Sequence, residues 1–447
     1  MSFLADKQTL EDLSLFGRYK GNSVYKLFDR TLTSGGRQLL EKMFREPLTD
    51  VEAIQNRVTA FKYFSHHPAV LPFSAEDFAE TEQYLFAGSE SLLDTTWRVI
   101  SLKVRSSVTG TEEYKTLESG CIKTIGVLKV IRHFICQQQK NTNHPYADQL
   151  AAIQQTFTDK RMKWLDNHPA DGKPTLWQLI GFDHCLRSQM KHEIKTLLQF
   201  IFRLDAGISV GRVAAERGYT YARVLPAERN VLRIEGLYHP LLEKPVSNPA
   251  FFDGDSNVVF LTGANMAGKS TYMKATGIAV YLAHAGLPVA AAEMEFSIKD
   301  GIFSSINVPD DLEHGYSHFY AEVRRVKKVA ETVSTPKNLV VLFDELFKGT
   351  NVKDAYEATL SITEAFSAHR NCFFLVSTHI IEVGEALKER CGHIRYDYLP
   401  TIIKEGRPAY TYQLKEGITA DRQGMMIIEN EKIVELIRQN CEVPPKS

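Results

Sequence analysis

The chain has 447 residues, of which 44% are hydrophobic, and its 53 Lys plus Arg stand against 54 Asp plus Glu for a formal charge of -1. That length exceeds one ordinary core and predicts two or three domains, while the balanced charge excludes a molecule-wide basic field of the kind that attracts nucleic acid. Six cysteines (Cys121, Cys136, Cys185, Cys372, Cys391, Cys441) show neither paired metal-ligand spacing nor disulfide-scaffold density, and no uncharged apolar run is long enough to span a bilayer, so a reducing cytoplasmic setting with no membrane contact is expected.

Residues 1–230 repeat apolar positions at helical spacing and are expected to form a helical domain. In TDVEAIQNRVTAFKYFSHHP, Thr49 or Asp50 can cap a helix whose stripe is Ile54, Val58, Phe61 and Phe64, with Pro68 as its stop. The longest pattern carries Met190, Ile194, Leu197, Ile201, Leu204 and Ile208 at alternating steps of four and three. Such a face is covered either by neighbouring helices of the same chain or by a coiled-coil partner.

From Val231 the grammar changes to short apolar runs between glycine-containing turns and helical segments, which predicts an α/β domain over 231–447 with a partly parallel sheet. NVVFLT, NLVVLFDE and NCFFLVSTH are the core-strand candidates, each ending in polar residues where parallel sheets place ligands. Directly after the first, Gly263, Gly268, Lys269 and Ser270 complete G-x-x-x-x-G-K-[ST] ahead of a helix expected to start near Lys269. Glycines allow a tight turn whose N–H groups face phosphates, and the helix N-terminus adds donors and positive dipole. Lys269 is expected at the β/γ-phosphates of a bound nucleotide and Ser270 on Mg²⁺.

The second strand delivers Asp344 and Glu345, one to organise Mg²⁺ and its water, the other to position or activate the attacking water; helix capping is the bland alternative for such a pair. The third ends in Thr378 and His379, and His379 can sense the γ-phosphate or serve only structure. Basic clusters at Lys103 and Arg105, at Lys160, Arg161 and Lys163, and at Arg324, Arg325, Lys327 and Lys328 can meet nucleic-acid phosphates or be solvated helix faces.

TGANMAGKSTYMKATGIAVYLAHAGLPVAA, DDLEHGYSHFYAEVRRV, LVVLFDELFKGTNVKDA and FFLVSTHIIEVGE, in that order, resemble the ATPase domain of the MutS mismatch-repair family. SVYKLFDRTLTSGGRQLLEKMFREPLTDVEAIQNR and DAGISVGRVAAERGYTYARV look like parts of its helical core, and 70–190 matches weakly. The resemblance implies an N-terminal helical core/lever domain followed by an ABC-type P-loop ATPase domain with a mixed β-sheet flanked by helices, working as a homodimer with ATP and Mg²⁺. It places Gly263, Ala264, Asn265, Met266, Ala267, Gly268, Lys269, Ser270 and Thr271 on the phosphate loop, and Tyr238 and His239 near the nucleotide base. Gly315, Ser317 and Phe319 fall on a signature loop acting across protomers, with His318 departing from the usual small hydroxyl residue. Asp344 falls on the metal-organising acid, Glu345 on the hydrolytic carboxylate, Gly349 and Thr350 on the turn beyond, where Phe347 and Lys348 are unusual, and His379 on the switch histidine.

Because the helical-core resemblance begins near Ser23, upstream mismatch-binding and connector domains are not expected, nor is specific mismatch recognition. The resulting expectation is a nucleotide-switched ATPase that binds duplex or branched DNA, with a protein partner supplying the missing recognition. The rival readings are an ATP-regulated protein-interaction module without DNA contact and, more remotely, a small-molecule phosphotransferase.

Overall fold

The computed structural model describes residues 2–17, 23–87, 91–141, 143–306, 318–404, 407–419, 432–433 and 436–437. The chain forms two compact units that are not contiguous in sequence: Phe28–Arg45 with Thr59–Arg217, and Met1–Leu27 with Glu46–Val58 and Gly218–Ser447.

The first unit is helical. Its main elements are α1 (Ser34–Arg45), α2 (Ala75–Phe86), α3 (Leu92–Thr109), α4 (Glu113–Gln138) and α5 (Lys191–Arg217). On and just before α5, Met190, Ile194, Leu197, Ile201 and Leu204 are buried in the unit's own core and Ile208 is partly buried against it, so the stripe is satisfied within the chain. Asp205 on α5 accepts hydrogen bonds from the Leu32 and Thr33 amides and the Thr33 hydroxyl, and Thr33 Oγ1 in turn accepts from Gly36 N at 3.0 Å, so the start of α1 is capped from α5. The weakly matching stretch is helical too. A buried Asp183 there accepts from Tyr84 (2.9 Å) and pairs with Arg187 and Arg98, fixing α3 against its neighbours.

The second unit is built on a six-stranded sheet. Its strands are β1 (Val258–Gly263), β2 (Gly301–Ser305), β3 (Leu339–Asp344), β4 (Phe373–Ser377), β5 (Ile394–Leu399) and β6 (Lys415–Glu416), in the spatial order β6-β5-β1-β4-β3-β2. All neighbours run parallel except β6, which is antiparallel to β5. Near-continuous burial of β1, β3 and β4 fits a sheet covered on both faces, here by helices that include α6 (Lys269–His284), α7 (His318–Val333) and α8 (Val352–Ser367). A smaller four-stranded sheet comprises Arg223–Leu225, Glu293–Ser297, Leu232–Leu237 and Asn248–Phe252 in that spatial order. Helical N-terminal region followed by mixed sheet flanked by helices is therefore the observed architecture. Among the described residues, no helix is long and apolar enough to cross a membrane.

The sequence pattern changes near residue 230, whereas compactness assigns residues 1–27 and 46–58 to the unit that carries the sheet. The cause is local bonding. Leu4 pairs with Gly301 at the β2 edge, donating to Asp300 O and accepting from Ile302 N, both at 2.8 Å. Asp12 accepts from Ser304 Oγ at 2.6 Å and Ile306 N at 3.0 Å, while Asp6 pairs with Arg325 and Lys328 on α7. Leu48 N donates to His284 O and Arg57 Nη1 to Ala285 O, tying the second segment to the end of α6.

Burial of Asp6 favours its neutral form, but Arg325 and Lys328 outweigh that and hold the carboxyl well below the usual carboxylate range. Its contribution to stability is therefore complete at neutral pH and is lost as pH falls through and below that range. Asp6→Asn can keep an acceptor for Thr9 N, the cap of the Lys7–Asp12 helix, while removing the charge and one of the two acceptor oxygens that face Arg325 and Lys328. Chemical denaturation at pH 7 is expected to show a loss of about 2–3 kcal/mol, shrinking as the pH is lowered towards 3.

Candidate active site

Parallel register brings the ends of β1, β3 and β4 to one edge: Leu261 lies opposite Ser377, and Ser377 opposite Asp344. From there the chain leaves β1 at Gly263, turns through residues 264–268 and enters α6 at Lys269. The turn needs unusual backbone. Gly268 has φ +103°, and a Cβ there would stand 3.1 Å from the Tyr412 ring, so glycine is required on both counts. Met266 also has positive φ (+70°) and is exposed, as expected of a residue whose backbone rather than side chain is used.

Lys269 is buried at 5% exposure, with Nζ donating to Gly263 O at 2.8 Å and Ala264 O at 3.3 Å. Glu345 Oε1 stands 3.9 Å from Nζ. Burial lowers the lysine's pKa, and Glu345 and Asp344 act against that fall. The ammonium is thus held at the sheet edge by carbonyls and a loose carboxylate contact, partners that a phosphate oxygen can replace.

Asp344 ends β3, and its Oδ1 is buried with no hydrogen-bond partner; Ser377 Oγ beside it is likewise unpartnered. An orphaned carboxylate oxygen in this position fits a cation with its water shell. The residues present therefore suit Mg²⁺ held by Asp344 and the Ser270 hydroxyl together with nucleotide phosphates. Among the described residues no group of three or more His, Cys, Asp or Glu forms an all-protein metal cage, and a phosphate-bridged Mg²⁺ needs none.

Glu345 has φ +51° and its N–H donates to Ser377 O at 2.9 Å; Phe347 follows with φ +61°. Two non-glycine residues in the left-handed region cost about 1–3 kcal/mol each and occur where the surroundings over-determine a functional turn. His379 Nδ1 lies 4.0 Å from Glu345 Oε1 and is 56% exposed. The adjacent Gly349 has no room for a side chain, since a Cβ would meet Phe319 N at 3.0 Å, and the Phe319 and Phe347 rings pack edge to face at 6.0 Å. Phe319, expected on the signature loop, thus abuts the turn beyond the acidic pair. Gly315 and Ser317 lie outside the described residues.

A cavity of about 510 Å³ opens beside the phosphate loop. Ala264, Asn265, Met266, Gly268, Lys269, Ser270, Thr271 and Glu345 line it, together with Tyr238 and His239. Gly263, Ala267, Asp344 and His379 are not in its wall. His239 is pushed down to about 4 by burial, with Lys274 adding to the effect, so it is neutral near pH 7; its Nδ1 accepts from Leu241 N, which leaves the proton on Nε2.

Tyr412 and Asn248 also line this cavity and were not reached by sequence reasoning. Asn248 Nδ2 donates to Tyr412 O at 2.9 Å and its Oδ1 accepts from Leu414 N at 2.6 Å, drawing the segment at 411–414 over the loop. Tyr412 itself has φ +56°. Nothing in the local pattern YTYQ distinguishes it from an edge-strand tyrosine.

Residues 259–443 match the model of MutS domain V, and residues 8–168 match that of MutS domain III. The chain belongs to the MutS family. Its similar relatives include the DNA mismatch repair protein MutS of Caldicellulosiruptor saccharolyticus, 26% identical over 90% of this chain and 57% of the relative. Those of Geobacillus thermodenitrificans (30% identical, 55% and 27%) and Thermus thermophilus (31%, 55% and 29%) are also similar. The chain thus spans between about a quarter and somewhat over half of the relatives it matches. Domain V is the ATPase domain of the MutS family, and the strand ends, phosphate loop and acidic pair all lie within the matched span.

Lys269→Ala removes the buried cation and is expected to weaken ATP binding at least about 100-fold in equilibrium titration with a fluorescent ATP analogue. Gly268→Ala, strained by φ and crowded by Tyr412, is expected to weaken it by about tenfold or more.

Proposed function

We propose that this chain is a Mg²⁺-dependent ATPase whose nucleotide state regulates association with a protein partner, including a second copy of itself, without direct contact to DNA. The observation that carries the hydrolytic part is the convergence of buried Lys269, the orphaned Asp344 oxygen and Glu345 at one sheet edge. Mg²⁺, which Asp344 and the Ser270 hydroxyl would hold, would supply neutralisation of phosphate charge.

The chain's own groups account for the rest. Backbone amides of residues 264–268 and the N-terminus of α6 bind the phosphates, and Lys269 stabilises charge developing on the transferred group. Glu345 orients or deprotonates the attacking water, and its strained backbone aims the carboxylate into the cavity that holds the phosphates. His379, within 4.0 Å of Glu345, senses the γ-phosphate through that carboxylate. Tyr238, His239 and Tyr412 form the wall for base and ribose. The resemblance implies that Gly315, Ser317 and Phe319 of a second copy complete the site, and a nucleotide that favours one arrangement of the copies makes hydrolysis a reset.

What favours a protein partner over DNA is the fate of cations in two of the three basic clusters. Arg325 and Lys328 pair with Asp6, Lys327 with Glu331, and Arg161 with Asp159 and Glu193. Cations already neutralised within the chain release few counterions on meeting a phosphate backbone. The DNA reading rests on the relatives, whose names describe DNA mismatch repair.

Binding to homoduplex, mismatched and branched DNA across a salt series, with and without ATP-Mg²⁺, separates the two. The expected result is weak binding that depends little on nucleotide, alongside self-association in sedimentation velocity that changes between ADP and a slowly hydrolysed ATP analogue. Tight, nucleotide-dependent DNA binding that falls steeply with salt would replace this reading with a DNA clamp.

A further inference from the structure

Helix α3 presents two unlike faces. Thr95 and Val99 are buried and Arg98 is pinned to buried Asp183, which fixes the inward face. On the opposite side Leu93, Trp97, Val104 and Val108 are 76%, 76%, 57% and 78% exposed, with partly buried Ile100 at the inner margin. Steps of four, three, four and four residues put all five on one stripe of a straight helix. Isolated exposed apolar residues are ordinary, but a stripe of this length centred on tryptophan marks an interaction surface.

The charges beside the stripe identify what it fits. Asp94 and Arg105 lie on the same flank, Asp94 near the helix start and Arg105 near its end. Asp94 accepts from Ser91 at the helix cap, and Arg105 has no ion-pair partner among the described residues. If a second α3 lies antiparallel across the first, with the two-fold axis between Ile100 and Ser101, Leu93 meets Val108 and Trp97 meets Val104, while Asp94 lies opposite Ser107, two residues or about 3 Å along the axis from Arg105 and within reach of that long side chain. Each contact occurs twice, as an isologous interface requires. The stripe is therefore complementary to itself in both shape register and charge, whereas a membrane surface would be matched by cations on both flanks along the whole helix.

We propose that α3 is a self-association surface through which two copies of this chain pair antiparallel, independently of nucleotide. One helix pair of this length makes a small interface, so the association is of the order of micromolar rather than nanomolar. It is separate from the nucleotide-dependent contact proposed above, and neither requires the other.

Sedimentation velocity of the full chain in EDTA without nucleotide, at up to roughly 100 µM protein, tests it. The wild type is expected to self-associate. Arg105→Asp and Asp94→Arg are each expected to weaken association about tenfold, and the Asp94→Arg, Arg105→Asp double variant to return it to within about threefold of wild type. Val104→Asp, at an exposed position away from the helix cap, is expected to weaken it at least as much and keeps the test open if Asp94→Arg unwinds the first turn. A wild type that stays monomeric, single variants that associate like wild type, or a double reversal no better than the single ones would each overturn the proposal.

Discussion

The buried ammonium of Lys269 is the contact on which the rest of the ATPase unit depends. It is held by the carbonyls of Gly263 and Ala264 and faces Glu345, which brings the end of one strand, the start of a helix and the acidic turn of another strand into one small volume. That convergence exists because five strands run parallel and end together, so β1, β3 and β4 deliver Gly263, Asp344 and Ser377 to the same edge. A desolvated cation strengthens every interaction with phosphate, and the unpartnered oxygen of Asp344 leaves a second position of opposite sign close by.

The N-terminal segment contributes to the same unit from far away in sequence. Leu4 extends the β2 edge, and Asp6 and Asp12 bind both α7 and the end of β2. Helix α7 in turn carries Phe319 against Gly349 and Phe347, at the turn whose strained residues are Glu345 and Phe347. A chain segment that precedes the helical unit is thereby mechanically continuous with the turn that follows β3.

Much of this was legible in sequence because period and spacing carry it. Continuous apolar runs ending in polar residues marked β1, β3 and β4, Asp50 caps its helix through Ala53 N as expected, and the α5 stripe fills an intramolecular core. The tight turn between β1 and α6 was readable because only glycine tolerates the backbone at Gly268. Pairings between distant segments were not legible. Nothing in DKQTLED announces a partner some 300 residues away at Arg325, so residues 1–27 were read with the helical half. Tyr412 reaches the cavity by an αL backbone and the Asn248 clamp, features without a local signature. The basic clusters showed their charge but not the carboxylates that pair with Arg161, Arg325, Lys327 and Lys328.

The most direct test of the central claim is single-turnover phosphate release by the wild type and by Glu345→Gln, with ATP affinity measured on the same preparations. If the sheet edge is a hydrolytic centre, Mg²⁺-dependent release is expected from the wild type, and Glu345→Gln retains ATP within a few-fold while release falls at least about 100-fold. Equal release from both proteins, or no release from a wild type that binds ATP, would contradict it.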